Sequence, residues 1–251
     1  MSLVLFRERD GRVARVVLDR PELRNAFDED LIATLTETFL RLAKESGVRA
    51  IVLEGRGKAF CAGADLSWMK KMAGYTLEEN LADAERLAAM FEAIDSCPRP
   101  VVARIQGAAL GGGTGLAAVS DIVVAEEGTL FGTTEVRLGI VPAVISPYLV
   151  RKIGESAARY WFTTGERFDA QAAARVGLVH TVVPMGSLDA EIERLLDAFL
   201  SGGPEAVAEA KRLATSASAR AAATSSIAAR RVSAEGQEGL RAFLEKRKPV
   251  W

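Results

Sequence analysis

Two stretches of this chain present backbone in place of reactive side chains. Gly107-Ala108-Ala109-Leu110-Gly111-Gly112-Gly113-Thr114-Gly115 packs five glycines into nine positions, between a β-branched run and an apolar helical pattern. Glycine at a strand-to-helix turn lets backbone N–H groups approach a ligand closely, and the new helix N-terminus favours negative charge there. Lys58-Ala59-Phe60-Cys61-Ala62-Gly63-Ala64-Asp65-Leu66 carries small residues at 62–64, with Asp65 placed to cap a following helix. Each stretch alone reads equally well as a tight turn with close helix–sheet packing. Together they suit two N–H groups from separate loops converging on one carbonyl oxygen. Such an oxyanion hole stabilises developing charge without a titratable side chain. A dinucleotide reading of Gly113-Thr114-Gly115-Leu116-Ala117-Ala118 is weaker, because its strand ends earlier, at Ile105, and no second nucleotide-binding half follows. A phosphate loop is excluded: no Gly-Lys-Ser/Thr follows the glycines, and Gly57-Lys58-Ala59 lacks the hydroxyl.

Composition removes competing chemistries. His180 is the only histidine, and Cys61 and Cys97 the only cysteines, among 251 residues. That leaves no His-rich or Cys-x-x-Cys metal site and no disulfide framework. With no Gly-x-Ser-x-Gly elbow, a serine or cysteine hydrolase has no support. His180 reads as a structural or surface residue, and Cys61 as a small hydrophobe. Lys+Arg total 32 against 33 Asp+Glu, a net charge of −1, so no general field attracts nucleic acid or an anionic membrane. The apolar stretch at the N-terminus is too short for a signal peptide, and the longest uncharged run, 105–120, is too short for a membrane span. A cytoplasmic location is expected.

The elements that must position these loops read as strand–helix alternation. Val13–Leu18, Val48–Leu53, Val101–Ile105 and Ile122–Ala125 are predicted strands. Asp28 caps a helix carrying Leu31, Leu35 and Phe39, and Leu77–Ile94 is amphipathic through Leu81, Ala84, Leu87, Ala88 and Phe91. A helical stretch is expected between Ile105 and Ile122, and a short strand around His180. This pattern implies an α/β fold with a parallel sheet and right-handed crossovers. From residue 187 the chain predicts only helices, over Leu188–Leu200, Pro204–Thr215 and Ala219–Lys246, so residues 1–186 form an α/β core and 187–251 a helical C-terminal region.

The sequence resembles the crotonase, or enoyl-CoA hydratase/isomerase, superfamily. The matching residues are Arg20-Pro21 with Arg24-Asn25-Ala26, the run Ala59–Leu66, Gly107–Gly115 with Asp121, Phe131-Gly132-Thr133-Thr134-Glu135, Gly139-Ile140-Val141-Pro142, Gly154, Leu178-Val179 with Val182-Val183-Pro184, and Glu238–Arg247. They run in order through nearly the whole chain. The resemblance implies a ββα spiral core and an acyl-CoA thioester substrate whose carbonyl oxygen sits between the N–H groups of Ala64 and Gly112. It also implies Glu135 as the catalytic carboxylate, with no permanently bound cofactor. The CoA moiety would lie along Arg24, Ala26, Ala62, Asp65 and Leu66, and Lys246 and Arg247 would meet its phosphates, those of a neighbouring subunit included. Trp68 would line the acyl or pantetheine pocket or pack in the core, and the Tyr75-Thr76-Leu77 region and residues 143–149 would shape the pocket. The helical C-terminal region resembles the segment through which this family forms homotrimers, often paired into hexamers.

Position 115 departs from the family pattern. Hydratases of the family generally carry a second glutamate at the end of the glycine turn, where this chain has Gly115. A lone glutamate at the later position is also found in some Δ3,Δ2-enoyl-CoA isomerases, for which one proton-shuttling base suffices. The segment Val136–Leu149 is similar to that of bacterial methylglutaconyl-CoA hydratases, which share the glycine. The resemblance thus implies reversible hydration of 3-methylglutaconyl-CoA to 3-hydroxy-3-methylglutaryl-CoA, in leucine or isoprenoid-related metabolism. The alternatives are an isomerase, a generic enoyl-CoA hydratase, and a non-catalytic CoA-thioester-binding protein. One expectation concerns the gap at Gly115: the substrate's distal carboxylate, or the hydroxyl of Ser146 or Tyr148, fills it and helps hold the water. A substrate carboxylate there would raise the pKa of Glu135.

Overall fold

Near-continuous Val/Ile/Leu/Ala runs make strands that are buried on both faces, which a parallel sheet covered by helices requires. In the computed structural model, which describes residues 2–215 and 220–251, nine strands form two sheets. β1 (Leu3–Glu8) pairs antiparallel with β2 (Val13–Leu18), and β2 continues in parallel through β3 (Ala50–Gly55), β4 (Val101–Ile105), β6 (Ile122–Glu126) and β9 (Thr181–Val183). A smaller sheet joins β5 (Ala108–Leu110), β7 (Leu130–Gly132) and β8 (Arg167–Asp169), with β5–β7 parallel and β7–β8 antiparallel.

The helices are α1 (Glu29–Lys44), α2 (Leu66–Met72), α3 (Leu77–Asp95), α4 (Gly112–Val119), α5 (Ser146–Thr164), α6 (Ala170–Arg175), α7 (Leu188–Ser201), α8 (Pro204–Thr215), α9 (Arg220–Val232) and α10 (Ala234–Leu244). The main core holds Leu31, Leu35 and Phe39 of α1, Phe91 and Ile94 of α3 and all-buried α4 residues such as Leu116. A second cluster sets Leu188, Ile192 and Leu196 of α7 against Val13, Val52, Val102 and Val124. So α7, although it follows residue 187, covers the sheet's other face, while α8, α9 and α10 pack on one another.

Because β3 and β4 are parallel neighbours, the loops that follow them leave the same edge of the sheet. That topology brings the 56–65 loop and the 106–115 turn together although they lie about fifty positions apart in the sequence.

Several local expectations shift. The strand expected at Val48 begins at Ala50 and runs on to Gly55. The stretch expected to be helical after Ile105 holds β5 before α4, because Ala108–Leu110 finds a partner in β7. Of the helix expected over Ala219–Lys246, Ala219 lies outside the described residues and the rest splits at Ser233, whose hydroxyl accepts from the Gly236 N–H and caps α10. Leu81 is 59% exposed, since α3 buries its C-terminal half and Asp83 instead. No described helix is long and apolar enough to cross a membrane.

Candidate active site

A guanidinium anchors the first loop. Arg20 donates to the Ala26 carbonyl (2.9 Å) and pairs with Asp28 (2.6 Å) and Asp65 (3.3 Å). These two aspartates are N-caps: Asp28 accepts from the Leu31 N–H at the start of α1, and Asp65 from the Ser67 N–H at the start of α2. Neighbouring Asn25 is fully buried at φ +55°, a conformation asparagine tolerates better than most residues. Its amide accepts from the Arg20 N–H and donates to the carbonyls of Arg56 and Ala59, each at 2.9 Å. Backbone bonds complete the bracing, from Ala62 N–H to Arg24 O (2.9 Å), Phe27 N–H to Gly63 O (2.7 Å) and Asp65 N–H to Phe27 O (2.7 Å).

The two small-residue stretches then lie edge to edge. Cys61 donates to the Ala108 carbonyl (3.1 Å), and Leu110 donates back to Cys61 (3.0 Å). A Cβ on Gly63 would stand 3.0 Å from Leu110 O and 4.0 Å from Gly111 Cα, so the two turns touch where both are glycine. Gly63 (φ +95°) and Gly111 (φ +52°) adopt left-handed backbone, and each immediately precedes a donor, Ala64 or Gly112. Among the described residues neither of those two N–H groups donates to the protein. The Gly112 N–H also opens α4, an uncharged helix whose N-terminal dipole adds to its positive field. Thr114, fully buried, holds the turn: its hydroxyl lies 2.7 Å from Ala109 O and 3.0 Å from Gly132 O, and accepts from the Gly132 N–H.

Beyond Gly132 the chain enters a short 3-10 turn, Glu135–Leu138, closed by Gly139 in left-handed conformation. It delivers Glu135 to the glycine turn: a Cβ added at Gly111 would lie 3.3 Å from Glu135 Oε1. The other oxygen, Oε2, is buried with no hydrogen-bond partner. Burial pushes the Glu135 carboxyl above its usual range, and a hydrogen bond from its own backbone N–H draws it partly back. Two unengaged N–H groups and a carboxylate with one unpartnered oxygen thus share a corner made of glycine.

A profile of the enoyl-CoA hydratase/isomerase family matches residues 8–251. The chain belongs to this family. Among solved structures, an enoyl-CoA hydratase from Shewanella pealeana is 41% identical, with a TM-score of 0.95 over 100% of this chain and 96% of the other. Pseudomonas aeruginosa AtuE is 36% identical, with a TM-score of 0.95 over 100% and 99%. An enoyl-CoA hydratase from Mycobacterium smegmatis is 35% identical, with a TM-score of 0.94 over 100% and 99%. The crotonase fold expected from the sequence is the one observed, and its chemistry is that of enoyl-CoA thioesters.

In this enoyl-CoA hydratase/isomerase family member, position 115 overturns one expectation. A Cβ at Gly115 would collide with Ile145 Cγ2 and stand 2.9 Å from Phe91 Cε1, so the space is filled by apolar side chains. The Ser146 hydroxyl is occupied by the Ala143 carbonyl (2.8 Å); Ser146 lines a cleft of about 320 Å³ with Val136, Val141, Pro142 and Phe162. Tyr148 packs on Phe91 (ring centroids 6.1 Å) and under the Arg151 guanidinium, among the charges Glu92 and Asp95. With Ile145 and Phe91 in that space, neither hydroxyl fills it, and Glu135 owes its raised pKa to burial by its own protein.

The expected CoA-binding residues divide. Arg24, Ala26, Ala62, Asp65 and Leu66 come together through the bonds above, with Leu66 75% exposed, although the Asp65 side chain is committed to Arg20 and the α2 cap. Arg247 is engaged differently than expected: Glu238 binds it with both oxygens (2.6 and 3.0 Å) and Glu245 takes its Nε. Lys246 makes no ion pair among the described residues. His180 is structural, its Nδ1 accepting from the Val123 N–H at 3.0 Å, and the buried Cys61 thiol is pushed up to about 12, which leaves it inert. Sequence reading gave no role to Arg20, Asn25 or Thr114; their signal is polar residues of capping type inside otherwise apolar or glycine-rich turns.

Proposed function

We propose that the protein reversibly hydrates a branched, carboxylated enoyl-CoA, 3-methylglutaconyl-CoA, to 3-hydroxy-3-methylglutaryl-CoA. The observation that carries a hydro-lyase reading is Glu135, whose Oε1 faces the glycine turn that holds the Gly112 N–H and whose Oε2 is buried without a partner. The thioester oxygen lies between Ala64 N–H and Gly112 N–H. The Glu135 carboxylate takes a proton from water as its oxygen adds to the β-carbon, and the resulting enolate is held by the two N–H groups. Glu135, now protonated, returns that proton to the α-carbon. A carboxyl whose pKa is raised by burial suits both roles in turn. Each oxyanion donor contributes roughly 3 kcal/mol to such a transition state.

The substrate rests on the likeness of residues 136–149 to methylglutaconyl-CoA hydratases and on Gly115. CoA binds along residues 24–26 and 62–66, with Lys246 as a phosphate contact, as part of the substrate and with no permanent cofactor. The working unit is a homotrimer or dimer of trimers built through residues 187–251. The free, buried Cys61 and Cys97 support a reducing, cytoplasmic setting.

The lone carboxylate also favours a second reading, a Δ3,Δ2-enoyl-CoA isomerase. A turnover screen with 3-methylglutaconyl-CoA, crotonyl-CoA and 3-hexenoyl-CoA decides. Hydration fastest on the first ester supports the proposal. Fastest hydration of crotonyl-CoA identifies a generic hydratase, a dominant double-bond shift an isomerase, and tight binding without turnover a CoA-thioester-binding protein.

A further inference from the structure

Four described residues bury a side-chain polar atom that has no partner: Arg49, Arg99, Trp68 and Glu135. The two arginines precede β3 and β4, at the edge of the sheet away from the site. Trp68 and Glu135 follow the strands, at the edge where the oxyanion loops emerge. Trp68 is 4% exposed and is the only buried residue of α2. Its backbone N–H is fixed by Asp65, the residue directly after the Ala64 donor, and Asp65 is itself tied to Arg20. An indole needed only as an anchor gains nothing from a buried N–H, because a buried donor without an acceptor destabilises the fold.

The thioester oxygen already has two donors, in Ala64 and Gly112. A further unpartnered donor, on the helix whose cap directly follows Ala64, is left for a different acceptor. Ser146, one of the residues expected to contact the acyl group, donates its hydroxyl to the Ala143 carbonyl instead. We propose that the Trp68 Nε1–H receives the distal carboxylate of the acyl chain and thereby makes this site selective for carboxylated enoyl-CoA esters. This assignment rests on the substrate reading given above.

The test compares 3-methylglutaconyl-CoA with 3-methylcrotonyl-CoA, which differs only in lacking the carboxylate. In the wild type kcat/KM favours the carboxylated ester, and in Trp68→Phe the ratio of the two values falls by about tenfold or more, the worth of a hydrogen bond to a charged group. An unchanged ratio, with both esters slowed equally or not at all, overturns the Trp68 assignment and leaves the substrate reading standing. A wild type that hydrates 3-methylcrotonyl-CoA and not the carboxylated ester overturns both. Should Trp68→Phe fail to fold, indole N–H resonances of the wild type decide. There are three tryptophans to resolve, and the Trp68 signal moves downfield with 3-hydroxy-3-methylglutaryl-CoA and stays put with 3-hydroxybutyryl-CoA. Equal responses to the two ligands overturn the proposal.

Discussion

Glu135, in the turn after β7, and Glu238, on α10, are the same residue in opposite surroundings. Glu238 receives Arg247 through both oxygens and accepts the Val250 N–H, and these contacts hold its carboxyl down at about 2. Glu135 has one unpartnered buried oxygen, and burial pushes its carboxyl up. The C-terminal hook is saturated with partners, whereas the oxyanion corner leaves its groups waiting for one. A carboxylate used for proton transfer must be able to change charge, and partners that stabilise one charge state would prevent that. Structural carboxylates have the reverse requirement.

The largest test of this contrast is Glu135→Gln. Turnover of the preferred enoyl-CoA ester should fall by about 10³-fold or more, while the thermal midpoint at pH 8 holds or rises. The sign follows from the raised pKa: once pH exceeds the carboxyl's unfolded value, ionised Glu135 weakens the fold, and the neutral amide removes that penalty. A midpoint several degrees lower, with activity retained, would make Glu135 a structural group like Glu238.

A mid-sized effect is expected at Gly115, where the question is whether the slot is empty or packed. Gly115→Ala should lose about 1–3 kcal/mol of stability by denaturant unfolding, since its Cβ meets Ile145 and Phe91. Combined with Ile145→Ala, the loss should be smaller than the sum of the single changes. Strict additivity would mean that Ile145 does not fill the position.

The smallest effect belongs to Glu238. Its carboxyl is held below its unfolded value, so its contribution is present above about pH 4.5 and fades as pH falls from there toward 2. Glu238→Gln should therefore speed tryptic cleavage after Lys246 and Arg247 at neutral pH and shift the global midpoint by no more than about 2 °C, as for exposed ion pairs. A large drop in the midpoint would show that the hook supports the core.

Much of this was legible in the chain. The glycines at 63 and 107–115 and the cap at Asp65 signalled backbone donors, because local conformation depends on local residue type. Parallel β3 and β4 were legible too, and with them the convergence of the two loops. The three-residue strands β5, β7 and β8 were not, since their pairing is decided by tertiary neighbours and they are too short to show a period. The occupant of the Gly115 slot was equally hidden: Ile145 and Phe91 reach it from separate helical elements, and sequence spacing carries no volumes. The pairing of Arg247 with Glu238 needed the left-handed turn at Lys246 to fold the chain back.

The left-handed glycines at 63 and 111 change how a substitution scan would read this protein. The two N–H groups proposed to hold the enolate belong to the main chain, so replacing the exposed Ala64 side chain deletes neither of them. The positions that fail will be those that bend or crowd the backbone: Gly63, Gly111, and Gly112, whose added Cβ would stand 2.5 Å from Phe27 Cε2. A map of intolerance would therefore outline the catalytic centre by its supports, with one of its two donors, Ala64, left as a quiet position.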